Sequence, residues 1–578
     1  MNTRPVKTKL MIAARKFVKR LLRPFLHWAR RHPRLWELLC RLRVRLLPRN
    51  LRSRQDLVAC LIAQKKWQRA ESICRQIVAL TPHDSAGYSL LGAVFTEQDR
   101  LPEAAETLQS AVDVQRQRPN RDSAAILQHR LVILGLRLLK SGRIAAAEGQ
   151  WKQALSLGNP LDIYPVLWLE AFVAGHIDLA FELYRQNRRA QSQLQGESLQ
   201  RGKITRYLRK TWSCQIGHLA HLDGYLKVGM LQWRPPQETV LLSLLESISN
   251  CFFLDLWKPY LQVVTDSDQI GALQEEAKIT EDFLAIQDVQ GSPLWAPIAA
   301  AKAQQQWDLE KRSPLLKLDA DTIARGRKVL ARLGVPLDAW FVGLHARESG
   351  YHGKGDNSLQ SFRNADVHSY IPAMRAVVER GGWIIRMGDR SMTPLPPMPG
   401  VIDYAHSSIK SDWMDIFLCA CSRFFIGTQS GLSQVPDCFG VPTVMTNWVS
   451  LANPPWYQGG LFIPKMFSLT TTARQLSFHE VLEAGLSFMH TPQFAKKGVT
   501  WIDNSPQEIL KVVEEMMDRL DHAPSNDDVQ LQERWRRLAE RHGVIINSRM
   551  GSSFLRRHQD LLPASDDPSN ASQCAPAA

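Results

Sequence analysis

His345 and Arg347 stand two residues apart where an apolar run, Phe341–Leu344, gives way to charged, glycine-rich chain. A guanidinium offers a planar fork of donors suited to phosphate oxygens, and an imidazole titrates near neutrality. Two more apolar runs end in the same manner. "WIIRMGDRSM" (Trp383 to Met392) delivers Gly388, Asp389 and Ser391, and "RFFIGTQSGL" (Arg423 to Leu432) delivers Thr428, Ser430, Gly431 and Leu432. A glycine turn entering a helix exposes amide N–H groups and the positive end of the helix dipole to an anion. Arg347 could add a bidentate clamp. Taken singly, each piece is an ordinary turn, a surface ion-pair residue or a cap; their convergence predicts a diphosphate cradle.

Convergence requires a particular scaffold. From about residue 205 the chain alternates between short apolar runs and helical stretches, the pattern of a parallel, doubly wound sheet whose ligands lie beyond the carboxyl ends of the strands. "SCQIGHLAHLDGYLKVGMLQWRPPQETVLLSLLES" (Ser213 to Ser247) reads strand, helix, turn, strand, and "YLQVVTD" (Tyr260 to Asp266) reads as another strand. A helix over Asp321–Pro336, with a glycine stop, leads into the run that ends in His345. Helices over Ser369–Gly382 and Ser411–Cys421 then alternate with strands at Trp383–Asp389, Gly400–Ala405, Arg423–Thr428 and Pro442–Asn447. The expected units are an N-terminal Rossmann-like domain, 205–335, and a C-terminal one, 336–525, facing a cleft. A C-terminal helix and disordered tail would occupy 526–578. Neither G-x-G-x-x-G nor G-x-x-x-x-G-K-[ST] occurs, which removes the usual fingerprints of dinucleotide oxidoreductases and P-loop NTPases.

Residues 51–200 carry an internal repeat. Ala70, Cys74 and Ile77 are followed 34 positions later by Ala104, Leu108 and Ala111. Leu91, Gly92 and Phe95 recur as Leu134, Gly135 and Leu138, and "SGRIAAAEGQWKQA" (Ser141 to Ala154) realigns with "AGHIDLAFELYRQN" (Ala174 to Asn187) at a shift of 33. This resembles the tetratricopeptide pattern, whose stacked helix pairs offer a concave surface to a protein partner or serve as a packing spacer.

Charge is concentrated at one end. Residues 1–50 hold fifteen Lys or Arg against Glu37, a balance of +14, while the whole 578-residue chain sums to +16. A nearly neutral body argues against a nucleic-acid binder. On a helical wheel Leu10, Met11, Ala14, Phe17, Val18, Leu21, Leu22 and Phe25 oppose Lys9, Arg15, Lys16, Lys19, Arg20 and Arg23. Such an arm suits an anionic membrane surface, packing on the next domain, or organelle targeting. Its apolar residues are too interrupted for a secretory signal, no stretch is long enough to span a bilayer, and nine scattered cysteines fit reduced thiols.

The segments "SFRNAD", "GGWIIRMGD", "KSDWMDIFLCACSRFFIGTQSGL" and "FGVPTVMTNW" resemble a bacterial glycosyltransferase family found around surface-polysaccharide genes, often behind tetratricopeptide repeats. More distantly, Phe341–Asn447 looks like the sugar-nucleotide half of GT-B enzymes of the α1,6- and protein O-fucosyltransferase superfamily. The shared features are His345-Ala346-Arg347, Gly388-Asp389 and Asp415-Ile416-Phe417-Leu418 running to Ser430. The resemblance implies an α/β GT-B fold behind an all-α repeat region. It also implies transfer of a sugar from a nucleotide sugar, GDP-linked donors being the first candidates, with inversion. Arg347 would hold the β-phosphate, and His345, Arg363, Asp366, Gly388, Asp389, Thr428, Ser430, Gly431 and Leu432 would line the donor pocket. Glu348 departs from the pattern, where many members carry a second basic residue.

Acceptor chemistry should come from the first domain, where His218, and after it His221, are candidates for the base, a core histidine being the commoner role for either. A metal-dependent GT-A mechanism needs a D-x-D motif; Asp319-Ala320-Asp321 fits it but precedes a helix, where capping accounts for it. No cofactor or essential metal is therefore expected. The acceptor would be a surface polysaccharide or lipid-linked glycan, with the enzyme cytoplasmic and peripheral on the inner membrane. A protein acceptor held by the repeats, or a non-catalytic scaffold, are the alternatives.

Overall fold

The computed structural model describes residues 33–46, 50–174, 176–199, 205–234, 236–273, 283, 285–287, 293–349, 357–488, 491–522 and 528–563. Most of the basic arm and the tail expected to be disordered lie outside these. The chain divides into two units, 1–190 and 191–578.

The first unit is helical. Helices Leu51–Ala63 and Trp67–Leu80 form one hairpin, and Ser85–Glu97 and Leu101–Gln117, each starting 34 residues later, form the next. Arg121–Lys140 pairs with Ile144–Leu155, and Ile177–Leu199 starts 33 residues after the latter. Side-chain caps from Asn50, Asp84 and Asn120 satisfy amides that would otherwise be orphaned at the helix starts. The repeated small residues set how closely paired helices cross. A β-carbon added at Gly92 would fall 2.6 Å from Leu108 Cγ, and one at Gly135 would fall 2.1 Å from Trp151 Nε1. Ala104, Leu108, Ala111, Ala147, Trp151 and Ala154 are all buried in these seams.

Among the described residues the second unit holds every strand. β1 (Thr205–Leu208), β2 (Glu238–Leu242) and β3 (Gln262–Val264) make a three-stranded parallel sheet. After a β4–β5 hairpin (Ala285–Gln287, Pro293–Trp295) comes a seven-stranded, wholly parallel sheet. Its members are β6 (Phe341–His345), β7 (Trp383–Arg386), β8 (Val401–Asp403), β9 (Phe425–Gly427), β10 (Thr443–Trp448), β11 (Leu461–Pro464) and β14 (Arg549–Met550). β12 (Met466–Leu469) and β13 (Val499–Ile502) form an antiparallel pair beside it. The order β14-β11-β10-β9-β6-β7-β8 is a doubly wound arrangement with a seventh strand added at one edge. Every residue of β6 and β10 is buried, as strands covered by helices on both faces must be.

Chain beyond 525 does not stand apart. Helix Val529–Arg541 buries Trp535, β14 extends the main sheet, and Phe554 and Leu555 join its core. The two sheets also share apolar packing: Leu208, Trp212 and Leu219 belong to one buried cluster with Phe341, Phe417 and Val435.

One strand expectation fails. "SCQIGHLAH" is not extended; a short 3-10 turn, Lys210–Trp212, leads into the helix Ile216–Ala220. Gly217 and Leu219–Ala220 bury the helical face, and the preceding strand is β1. His221 is the cap residue of the helix Leu222–Met230.

Gly135→Ala should destabilise the helical unit by about 1–3 kcal/mol, because the wall facing it is a buried indole. Gly149→Ala, with no atom within 4 Å of where the new methyl would sit, should be neutral or stabilising by up to about 1 kcal/mol. Thermal unfolding followed by circular dichroism separates the two, and equal melting temperatures would contradict the close crossing.

Candidate functional site

β6 and β9 are neighbours in the sheet, although β7 and β8 intervene in sequence. This is where the strand order reverses, so the chain leaves the two carboxyl ends in opposite directions and opens a crevice. His345 pairs with Gly427 across it. Just beyond, the Thr428 amide donates to the His345 carbonyl at 3.2 Å, and the Arg347 amide donates to Thr428 Oγ1 at 3.0 Å. These bonds tie the His-x-Arg segment to the loop that carries Ser430 and Gly431.

A cavity of 590 Å³ lies above this point. Of the residues expected from sequence, His218, His345, Arg347, Arg363, Gly388, Asp389, Ser430, Gly431 and Leu432 all line it. The first sheet's side contributes Gln215–His218, Ser249 and Asn250, so both sheets of the unit supply walls. The walls meet backbone to backbone: a β-carbon on Gly217 would lie 2.4 Å from Gly431 Cα, and one on Gly431 would lie 2.8 Å from the Gly217 nitrogen. Only glycine at both places lets His218 share a chamber with the Ser430 loop. Gly388, at φ +153°, takes a conformation that side chains disfavour, and a β-carbon there would strike Met392 Sδ at 2.3 Å.

The charge balance of the chamber is its main chemical feature. Arg347 is buried, and its Nη1 donates to the Gln360 carbonyl at 3.0 Å and to the Asn364 side-chain oxygen. Both acceptors are neutral. Arg363 Nε is buried with no hydrogen-bond partner, and among the described residues neither arginine has a carboxylate within ion-pair distance. Burial, with Arg347 adding its own repulsion, pushes the Arg363 guanidinium down to about 10. Burial likewise lowers Arg347. Asp389, Asp412 and Asp415 also line the cavity, but none pairs directly with either arginine, and a partly desolvated, unpaired cation carries an electrostatic cost that a bound anion would reduce. Lys410 contributes less, because Asp415 holds it at 2.8 Å. The N–H groups of Gly431 and Leu432 have no acceptor among the described residues.

The histidines are neutral bases by environment. Burial, with Arg386, Arg347 and Lys410 adding to it, pushes His345 down to about 4. Its Nδ1 lies 3.2 Å from the Met387 carbonyl, which can only accept; the proton is therefore on Nδ1 and the lone pair on Nε2. His218 follows the same logic. Its Nδ1 donates to the Thr211 carbonyl at 2.5 Å, and burial holds its pKa below the ordinary imidazole range. His221 is pushed further, to about 3, and does not line this cavity.

Other expected residues fall elsewhere or act differently. Asp366 is not in the cavity wall; it caps the turn Val367–Tyr370, accepting from the His368 amide at 3.0 Å. Thr428 is fully buried beneath the chamber, where its hydroxyl fixes the Arg347 backbone rather than facing a ligand. The Ser430 hydroxyl lies 2.9 Å from that of Ser433, within its own loop. The helix expected after Gly431 is two 3-10 fragments, Leu432–Gln434 and Pro436–Phe439, so free amides matter here more than a macrodipole.

Sequence patterns do not reveal several residues that matter here. Glu348, the departure from the fucosyltransferase pattern, accepts from fully buried Arg386 at 3.0 Å, and Asp403 takes the other side at 2.9 Å. Its acid thus balances a strand arginine instead of opposing a ligand. Lys465 Nζ donates to the Asn364 carbonyl at 2.7 Å and to Asp503 at 2.6 Å, which braces the residue that steadies Arg347. Lys410 reaches the cavity wall with its cation, although its place just before a helix gives no local sign of this. The D-x-D pattern also occurs at Asp266-Ser267-Asp268, and both copies are caps: Asp266 accepts from the Asp268 and Gln269 amides, Asp319 from that of Thr322.

No known family and no curated protein matches the chain. Solved structures resemble parts of it at low identity. A glycosyl transferase family 9 protein from Veillonella parvula is 11% identical, with a TM-score of 0.31, over 53% of this chain and 97% of that one. An O-GlcNAc transferase mutant from Thermobaculum terrenum is 13% identical, with a TM-score of 0.22, over 87% and 94% respectively. TPR-like repeats of a kinesin light chain from Podospora anserina are 20% identical, with a TM-score of 0.24, over 30% and 96%. All three TM-scores are below 0.5, and functional inference rests on the site's own chemistry.

Proposed function

We propose that the chain is a glycosyltransferase of the two-lobed GT-B kind that takes its sugar from a nucleoside-diphosphate donor. The observation that carries this is the pair of guanidiniums, buried Arg347 and half-buried Arg363, with no carboxylate within ion-pair distance among the described residues, beside the open amides of Gly431 and Leu432 at the strand-order reversal. Breaking a sugar–phosphate bond builds negative charge on the departing diphosphate, and donors fixed before the reaction stabilise that charge without reorganising. In this scheme Arg347 and Arg363 neutralise the diphosphate. His345, as an acceptor through Nε2, takes a hydrogen bond from the nucleoside. His218, on the opposite wall, accepts the proton of the attacking acceptor hydroxyl at its free Nε2.

Calorimetry with GDP and UDP tests the donor assignment. Arg347→Ala and Arg363→Met should each lose about 2 kcal/mol, roughly thirtyfold in Kd, while keeping the wild-type circular dichroism spectrum. Folded variants that bind as tightly as wild type would refute it.

The base assignment has a pH signature. Burial lowers the His218 pKa, so the reactive neutral form persists below pH 6.5 and is lost only as pH falls further. The acid limb of kcat/KM should therefore lie below 6.5, and His218→Gln should abolish that limb and lower kcat by roughly 10²–10⁴-fold. An acid limb above 6.5, or one kept by the variant, would exclude His218.

We further propose a lipid-linked acceptor met at an anionic membrane. Among the described residues no helix is long and apolar enough to cross a bilayer. Helix Pro33–Leu46 leaves Leu38, Leu42 and Leu46 exposed by 62%, 52% and 71%, a stripe at four-residue spacing within the segment carrying +14. Leucines beside cations suit a headgroup interface. Leu38→Glu with Leu42→Glu should weaken co-sedimentation with phosphatidylglycerol vesicles, and unchanged binding would remove the membrane claim.

A further inference from the structure

Away from the cavity, three side chains that ligate metals converge on the surface of the second unit. His479 and Glu483 lie four residues apart on the helix Phe478–Glu483, so they share one face. His542 arrives from 63 residues later, at the end of the helix Val529–Arg541. His479 Nδ1 and His542 Nε2 are 3.0 Å apart, His542 Nδ1 lies 3.9 Å from Glu483 Oε2, and one ligand atom from each of the three residues lies within 4.8 Å of the others. None of the three lines the cavity.

We propose that His479 Nδ1, His542 Nε2 and a Glu483 carboxylate oxygen bind a transition-metal cation of the Zn²⁺ class, with water completing the coordination. A zinc ion bonded to two imidazole nitrogens at about 2.05 Å in a tetrahedron sets them roughly 3.3 Å apart, within a small side-chain adjustment of the spacing here. Two imidazoles and one carboxylate make a donor set that such ions favour and that Mg²⁺ or Ca²⁺ do not. The backbone at His542 is firmly placed: its amide donates to Ala539 and Glu540, Gly543 follows at φ +69°, and the Val544 amide returns to the Ala539 carbonyl. This position is also the negative end of a thirteen-residue helix, which favours a cation. The ion would pin that helix end to the helix Phe478–Glu483 along a seam already packed by Phe478 on Trp535, with centroids 5.9 Å apart.

The alternative is a neutral imidazole–imidazole hydrogen bond with no metal affinity, and titration of the full chain separates the two. The probe is ZnCl₂ by calorimetry, with thermal unfolding before and after EDTA. Wild type should bind one more Zn²⁺ than His479→Asn/His542→Asn, which keeps every cysteine and all other histidines. Chelation should lower the melting temperature of wild type and leave that of the variant unchanged. Glu483→Gln, at an exposed position where folding is not at stake, should weaken binding by more than the roughly tenfold cost of losing an outer-shell partner. CoCl₂ should give visible ligand-field bands in wild type and not in the double variant. Equal zinc stoichiometry in wild type and double variant, or no difference for Glu483→Gln, would overturn the site.

Discussion

An arginine buried without a carboxylate is an expensive object, and the second unit places one, Arg347, close enough to the half-buried Arg363 to repel it. Arg347 spends its hydrogen bonds on a carbonyl and an amide oxygen, and the buried Nε of Arg363 has no partner. The contrast with Arg386 is instructive. That guanidinium is fully buried as well, yet Glu348 and Asp403 balance it from both sides. Arg386 is thus neutralised by two acids, whereas among the described residues Arg347 and Arg363, which line the crevice, have no carboxylate within ion-pair distance. Polar groups left unsatisfied in this way are the mark of a site waiting for a ligand.

The rest of the architecture serves that placement. The reversal of strand order between β6 and β9 supplies the opening, and β7 brings Gly388 and the carbonyl that fixes the His345 tautomer. Lys465, at the end of β11, supports Asn364 and through it Arg347. From the other sheet, the helix Ile216–Ala220 comes close enough to put a neutral imidazole in the chamber because Gly217 and Gly431 have no side chains to keep them apart.

Much of this is legible in the sequence for a physical reason. Buried parallel strands are short apolar runs, and the residue types change abruptly at their carboxyl ends, so His345, Arg347, Gly388 and the Ser430 loop announce both the strands and the crevice. The helical repeat is legible because close crossings demand small residues at fixed intervals: the glycines at 92 and 135 face Leu108 and Trp151. What stays hidden depends on pairing across long separations. Nothing local tells that Glu348 answers Arg386, that Lys465 braces Asn364, or that Thr428 points inward to an amide rather than outward to a ligand. The helix at His218 reads as a strand because a five-residue element is shorter than the window over which periodicity declares itself.

Where a diphosphate settles decides the matter, and a structure of the full chain with GDP or UDP bound is the most direct measurement. Phosphate oxygens should lie within hydrogen-bonding distance of both the Arg347 and Arg363 guanidiniums and of an amide in the Gly431–Leu432 turn. A nucleotide bound elsewhere on the unit, with the two arginines still unengaged, would contradict the donor site.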